Sequence, residues 1–122
     1  MAAIGWPKWI GVVAEDLERQ RRFYRDVMGF REIGAAADYV HFDLGEGRLF
    51  EILQKDPDTP EYAERRYQLG FEVDDIRAAR DQLIRGGVEP ITEIEGGPDS
   101  VNSWAYFRDP EGNVFEITQW RT

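Results

Sequence analysis

Apolar residues alternate with polar ones in short runs along the chain, and between two of these runs they recur at helical spacing. Residues 9–14 alternate as a β-strand does, and Asp16 follows as a candidate N-cap. The helix predicted after it ends at Gly29, as a left-handed C-terminal cap would. Its apolar positions are expected to lie on one side; they are Leu17, Tyr24 and Met28.

The same succession of elements recurs in the second half of the chain. Residues 68–73 alternate again, and Asp75 is positioned to cap a second helix that stops at Gly86 and Gly87. Asp16 and Asp75 are 59 residues apart, and so are the other equivalent positions of the two segments. Near the end of each half, a Phe-Glu-Ile segment recurs at an offset of 65. The chain therefore contains an internal repeat.

Each repeat carries three more candidate strands after its helix, which makes it a βαβββ module. These strands are predicted at residues 32–34, 39–44 and 48–54 and at residues 89–94, 103–108 and 113–120. A module this short cannot bury its apolar face alone, so the two copies are expected to share a core. We predict a single α+β domain over residues 1–122, in which tandem βαβββ modules form curved mixed sheets around a cleft. Repeat 1 covers about 5–54, the linker about 55–66 and repeat 2 about 67–121.

Strand alternation assigns side chains to the two faces of each sheet. The residues expected to pack on the helices are Ile10, Val12, Ala14, Val40, Phe42, Leu44, Phe50, Ile52, Leu69, Phe71, Val73, Phe115 and Ile117. The opposite face carries Trp9, Glu51, Gln68 and Glu116 at equivalent positions of the two repeats, together with His41. Two glutamates at equivalent positions suggest a common cleft, although a solvated sheet face has the same alternation.

Composition narrows the chemistry that such a cleft can support. The 122 residues include no cysteine and one histidine, His41, so any metal would need oxygen ligands or this imidazole. A formal net charge of −9 argues against nucleic-acid and membrane partners and favours a cationic ligand. No apolar stretch is long enough to span a bilayer, and the first residues lack a signal-peptide pattern. We therefore expect a cytoplasmic protein.

Two motifs resemble those of a known superfamily. Asp16-Leu17-Glu18, followed by Phe-Tyr-Arg-Asp-Val-Met-Gly-Phe at residues 23–30, is similar to its first helix. The segment at residues 106–117, Tyr-Phe-Arg-Asp-Pro-Glu-Gly-Asn-Val-Phe-Glu-Ile, is similar to its closing hairpin. The chain thus resembles, over its whole length, the vicinal oxygen chelate superfamily of glyoxalases, bleomycin resistance proteins and extradiol dioxygenases. The resemblance implies that superfamily's fold and a homodimer.

The resemblance also implies four metal-ligand positions, which in this sequence hold Trp9, Glu51, Gln68 and Glu116. The two glutamates fit such a role, but an indole offers no lone pair and an amide is a weak ligand. We predict a degenerate metal site and no cofactor. Any zinc, nickel, manganese or iron ion would bind Glu51, Gln68 and Glu116. His41 is either a general base, a further ligand or an ordinary strand histidine.

The favoured function is a small-molecule-binding protein that sequesters a cationic or aromatic compound, as the bleomycin resistance proteins do. Its ligand would contact Trp9, Gln68, Trp104 and Tyr106. The alternative is a glyoxalase-like or epimerase-like lyase or isomerase, in which Glu51, Glu116 and His41 transfer protons with or without a divalent metal. A dioxygenase is least favoured, because its iron site needs two histidines. A non-catalytic module that senses a metabolite stays open.

Overall fold

The computed structural model of the chain describes residues 2–63, 67–97, 100–108, 110 and 112–121. Within these ranges the strands are β1 (Ile4–Ala14), β2 (Arg31–Ala35), β3 (Tyr39–Asp43), β4 (Leu49–Gln54), β5 (Gln68–Val73), β6 (Glu89–Pro90), β7 (Asn102–Arg108) and β8 (Val114–Trp120). The helices are α1 (Leu17–Arg22), a π-helical turn (Phe23–Val27), a 3-10 turn (Glu61–Ala63) and α2 (Ile76–Arg85). None of the described helices is both long and apolar enough to cross a membrane.

The predicted α+β class and the two βαβββ modules are confirmed. The chain divides into two compact units, one at Trp9–Gln68 and the other formed by the rest of the described chain. Residues 64–66 of the predicted linker, and Asp109 and Glu111 of the closing motif, lie outside the described residues. The single domain and its central cleft stay predictions.

In the unit at Trp9–Gln68 the strand order is β2-β3-β4-β1. β1 pairs with β4 in parallel, whereas β3 is antiparallel to both β4 and β2. The predicted apolar face is confirmed, because the alternate side chains of these strands pack with α1 and the π-helical turn. That core consists of Ala14, Leu17, Tyr24, Val40, Phe42, Phe50 and Ile52, with Ile10, Val12, Phe30 and Leu44 against it.

The first helix begins and ends where the sequence predicts, but its second half widens. The side chain of Asp16 accepts a hydrogen bond from the backbone of Arg19, and Gly29 has a φ of 74°. Between them the backbone N–H of Met28 donates to Phe23, five residues earlier. The prediction that Met28 lies on the buried side is wrong, since the widened turn leaves it 50% exposed.

The widened turn nevertheless buries Tyr24 among aromatic side chains. Its ring packs on Phe30 and Phe50, and its hydroxyl contacts the hydroxyl of Tyr67. Burial, together with the contact to Tyr67, raises the pKa of Tyr24 above its ordinary value. The phenol therefore stays neutral in the folded protein and can donate or accept a hydrogen bond.

In the other unit the strand order is β5-β8-β7-β6, with β5 parallel to β8. Residues 2–8 lie in this unit, where the backbone N–H of Ala3 donates to Asp74 and the ammonium of Lys8 lies 3.4 Å from Glu72. Asp75 caps α2 as predicted. In β8, Ile117 lies in the core beneath α2 and Phe115 packs against it, as predicted. That core comprises Val73, Ile76, Ala79, Ala105, Phe107 and Ile117.

Three details differ from the sequence-based expectation. β1 starts at Ile4 rather than at residue 9, because Pro7 is accommodated within the strand. β6 ends at Pro90 rather than at residue 94, since the next two backbone N–H groups both donate to the carbonyl of Tyr106 and interrupt the ladder. The prediction that Leu69 packs on the helices is wrong, since its side chain is 38% exposed.

A glutamine at the end of each module ties the last strand to the start of the helix. The amide oxygen of Gln54 accepts from the backbone N–H of Leu17 at 3.0 Å, and that of Gln119 accepts from Ile76 at the same distance. The first N–H groups of a helix have no partner within the helix, so each glutamine satisfies one of them. The two glutamines are 65 residues apart, the offset of the second half of the repeat.

We expect Gln54→Ala to lower the free energy of unfolding by about 1–2 kcal/mol, because the N–H of Leu17 and the carbonyl groups that Gln54 contacts lose their partner. Urea denaturation followed by circular dichroism measures this change. Gln20→Ala is the matched control, since the Gln20 side chain lies partly exposed on α1. Equal stability of Gln54→Ala and Gln20→Ala would contradict the proposed tie.

Candidate functional site

His41 and Glu51 face each other across two neighbouring strands. The antiparallel register of β3 and β4 pairs these two residues directly, on the sheet face that the alternation predicts. Nε2 of His41 lies 2.6 Å from Oε2 of Glu51. A carboxylate only accepts hydrogen bonds, so Nε2 carries the proton of this contact and Nδ1 of a neutral imidazole carries the lone pair.

Trp9 supplies a second donor to the same carboxylate. Its indole Nε1–H donates to Oε1 of Glu51 at 3.1 Å, so both carboxylate oxygens have a partner. The indole reaches Glu51 by lying over Gly11, which pairs with Glu51 in the register of β1 and β4. A Cβ atom at Gly11 would lie 2.0 Å from Cζ2 of the indole. Only glycine leaves this space open.

Tyr39 completes the group from the same strand as His41. The ring centroids of Tyr39 and His41 are 4.5 Å apart, with an interplanar angle of 35°. Sequence reasoning missed both Tyr39 and Gly11. A signal existed for each, since Tyr39 is two residues before His41 and Gly11 two after Trp9, and residues two apart in a strand share a face.

This group combines a buried side chain with partly exposed ones. Trp9 is 8% exposed, whereas the side chains of His41 and Glu51 are 28% and 21% exposed. The buried indole therefore holds the carboxylate in place, and the partly exposed carboxylate holds the imidazole. The arrangement can bind a polar group of a small molecule through His41, stack an aromatic ring on Tyr39, or exchange a proton through the imidazole.

The divalent metal site that the resemblance implies does not fit the residues around Glu51. Oε1 is engaged by an N–H donor that offers no lone pair to a cation, and Oε2 is engaged by His41. Among the described residues, no group of three or more histidine, aspartate or glutamate side chains is arranged to hold a metal ion. The first module thus presents a hydrogen-bonded carboxylate rather than an open ligand set.

The predicted residue Gln68 is buried, at 5% exposure. Its amide nitrogen donates to the carbonyl of Tyr62 at 2.5 Å, so the side chain is tied to the segment between the modules. The amide nitrogen of Gln68 thus acts as a donor to the backbone. A cation could be coordinated only by the amide oxygen of this side chain.

The remaining predicted residues lie in the other unit, at positions equivalent to those of the first. Glu116 is buried and pairs with Gly70 on one side and Tyr106 on the other. The indole Nε1–H of Trp104 donates to the carboxylate of Glu95 at 2.7 Å. Tyr106 and Glu116 thus take the positions of His41 and Glu51. That Glu51 and Glu116 share one cleft stays a prediction.

Comparison with known proteins identifies the family to which the chain belongs. The family model described as Glyoxalase/Bleomycin resistance protein/Dioxygenase superfamily matches residues 6–117. The Bacillus subtilis (strain 168) protein YraH is 28% identical, over 88% of this chain and 93% of its own length.

Solved structures show the same fold at low sequence identity. The Bacillus halodurans C-125 protein BH1468 superimposes with a TM-score of 0.79 at 14% identity, covering 99% of this chain and 96% of its own. Streptomyces coelicolor methylmalonyl-CoA epimerase, in complex with 2-nitronate-propionyl-CoA, gives a TM-score of 0.78 at 15% identity and covers 98% of this chain and 100% of its own. At these identities the likeness extends to the fold alone.

We expect Gly11→Ala to lower the free energy of unfolding by about 1–3 kcal/mol, because the added methyl group displaces the indole of Trp9. The same change in a Trp9→Ala background should cost at least about 1 kcal/mol less, which a double-mutant cycle by urea denaturation measures. Gly34→Ala is the control, since no described atom lies within 4 Å of the added Cβ there. Additive costs for Gly11→Ala and Trp9→Ala would disprove the coupling.

Proposed function

Since this chain belongs to the Glyoxalase/Bleomycin resistance protein/Dioxygenase superfamily, we propose that it binds a small organic molecule at Tyr39, His41 and Glu51, without a metal ion. The observation that carries this proposal is the pair of hydrogen bonds to Glu51 from Trp9 and His41. These bonds satisfy the carboxylate with protein donors. An organic ligand can then use the exposed edge of His41 and the ring of Tyr39.

The ligand class best supported is a planar aromatic molecule with a hydrogen-bonding or cationic group. Tyr39 and His41 offer neighbouring ring surfaces for stacking. The net charge of −9 attracts a positively charged ligand at long range. Because both oxygens of Glu51 already have partners, close contact with a full cation is secondary to stacking. Gln68, Trp104, Tyr106 and Glu116 belong to the same proposal as further contacts in the predicted shared cleft.

We expect a thermal-shift panel of aromatic amines and cationic glycopeptides, run in EDTA, to contain a compound that raises the melting temperature. Its dissociation constant, measured by calorimetry, should rise about five- to tenfold in Tyr39→Ala, because a stacking partner is lost. Trp6→Ala is the control, since Trp6 is 80% exposed. A compound whose affinity is the same in wild type, Tyr39→Ala and Glu51→Gln would bind somewhere else, and the proposed site would be wrong.

A second candidate function is proton transfer, which the geometry of the His41–Glu51 pair favours. A carboxylate that holds the Nε2 proton of a histidine leaves Nδ1 as a base, and both side chains are partly exposed. In this candidate His41 removes a proton next to a carbonyl group, Glu51 stabilises the imidazolium that forms, and the imidazolium returns a proton to the same face of the carbon. Inversion at the carbon would need a second acid on the opposite face. Glu116 is a possible second proton carrier in the predicted shared cleft.

This candidate predicts that the protein catalyses incorporation of solvent deuterium into methylmalonyl-CoA or a hemithioacetal, as followed by NMR. His41→Gln and Glu51→Gln should each lower the rate by at least about 100-fold, the contribution typical of a positioned acid or base. Glu18→Gln, which removes an exposed carboxylate on α1, is the matched control. Exchange that persists in both His41→Gln and Glu51→Gln would exclude the pair from the chemistry.

The proposal extends to a homodimer, which the family resemblance implies, and to the cytoplasmic location expected from the sequence. The exposed apolar side chains Val27 and Met28 after α1, and Ile33 on β2, are compatible with contacts to a second copy. Sedimentation of the purified chain distinguishes a dimer from a monomer.

A further inference from the structure

We propose that Trp9 determines the selectivity of the Glu51–His41 pair, because its indole excludes divalent cations from these two side chains. Imidazole and carboxylate are both good ligands for zinc, manganese and nickel. A pair of them in contact would be expected to attract such an ion. The proposed role of Trp9 is therefore to prevent divalent cations from binding to Glu51 and His41, and it does not depend on which organic molecule binds there.

The indole fills the space next to Glu51 on the β1 side. Its six-membered ring lies over Gly11, where Cζ2 and Cη2 would be 2.0 and 2.4 Å from a Cβ atom. Gly11 is the residue that pairs with Glu51 across β1 and β4. Trp9 is 8% exposed, so a cation approaching Oε1 from this side would have to move a buried aromatic side chain.

The indole also has the wrong polarity for a metal ligand. Its Nε1–H points a hydrogen at Oε1 of Glu51, and its ring has no lone pair in the plane. If a cation bound Oε1, Glu51 would lose this hydrogen bond. The cation would also lie next to the positive end of the N–H dipole. The donor thus satisfies the carboxylate and repels a positive ion at the same oxygen.

Elementary stereochemistry indicates which substitution would reverse this selectivity. Histidine Nε2 and tryptophan Nε1 are both three bonds from Cβ, and a half-turn of the imidazole about χ2 brings Nε2 to the ring position that Nε1 occupies. Trp9→His would therefore replace an N–H donor by a lone pair at nearly the same position. Two atoms that bind one ion at about 2.0–2.2 Å lie roughly 2.8–3.6 Å apart for octahedral or tetrahedral angles, and the observed separation of Nε1 from Oε1 is 3.1 Å.

The test is calorimetric titration of tag-free protein with ZnCl2, MnCl2 and NiCl2, with no organic ligand present. Wild type should show no tight stoichiometric uptake. Trp9→His should bind one equivalent at least about 100-fold more tightly than wild type, and adding His41→Ala or Glu51→Gln should abolish the gain. Trp6→His is the matched control, because it introduces an imidazole at an exposed position of the same strand.

Two results would overturn the role of Trp9. The first is tight one-to-one uptake by wild type that Glu51→Gln removes, which decides the question even where Trp9→His does not fold. The second is a folded Trp9→His variant, checked by circular dichroism, whose metal affinity equals that of Trp6→His. The first result would also contradict the metal-free part of the proposed function, whereas the second would leave it intact. Binding of an aromatic compound in EDTA is measured independently of both results.

Discussion

A carboxylate on a sheet face between two core residues must be matched by donors, and the candidate site depends on how Glu51 meets this requirement. Its neighbours Phe50 and Ile52 are buried, so the backbone position is fixed by packing on the other face. A carboxylate that is partly removed from water at this position would destabilise the fold if it had no hydrogen-bond donors. One donor comes from β1 and the other from β3. The pairing of the carboxylate thus joins three strands.

The two modules share their framework and differ in the side chains that it carries. The helix caps Asp16 and Asp75 are equivalent, as are the glutamines that tie the last strands to the helices. The positions beside the two glutamates hold histidine in one module and tyrosine in the other. A duplicated scaffold therefore presents two different hydrogen-bonding environments.

The sequence predicted those features that depend on local periodicity. The strands, both capped helices and the face of each side chain in the first module follow from alternation, and His41 and Glu51 were assigned to one face for this reason. The position of the Trp9 indole over Gly11 could not be predicted, because it depends on the side-chain rotamer and on a space that only glycine leaves open. Met28 was misassigned because the widened turn at Phe23–Val27 has no reliable signature in one sequence.

The position of residues 2–8 has a consequence for how the chain acquires its structure during synthesis. These residues lie with Glu72 and Asp74, about seventy residues later in the sequence. Residues 2–8 therefore reach these partners only after the chain through Asp74 has been made. Meanwhile the unit at Trp9–Gln68 contains all of its own strands. We expect this unit to become structured first, before residues 2–8 pair with the later part of the chain.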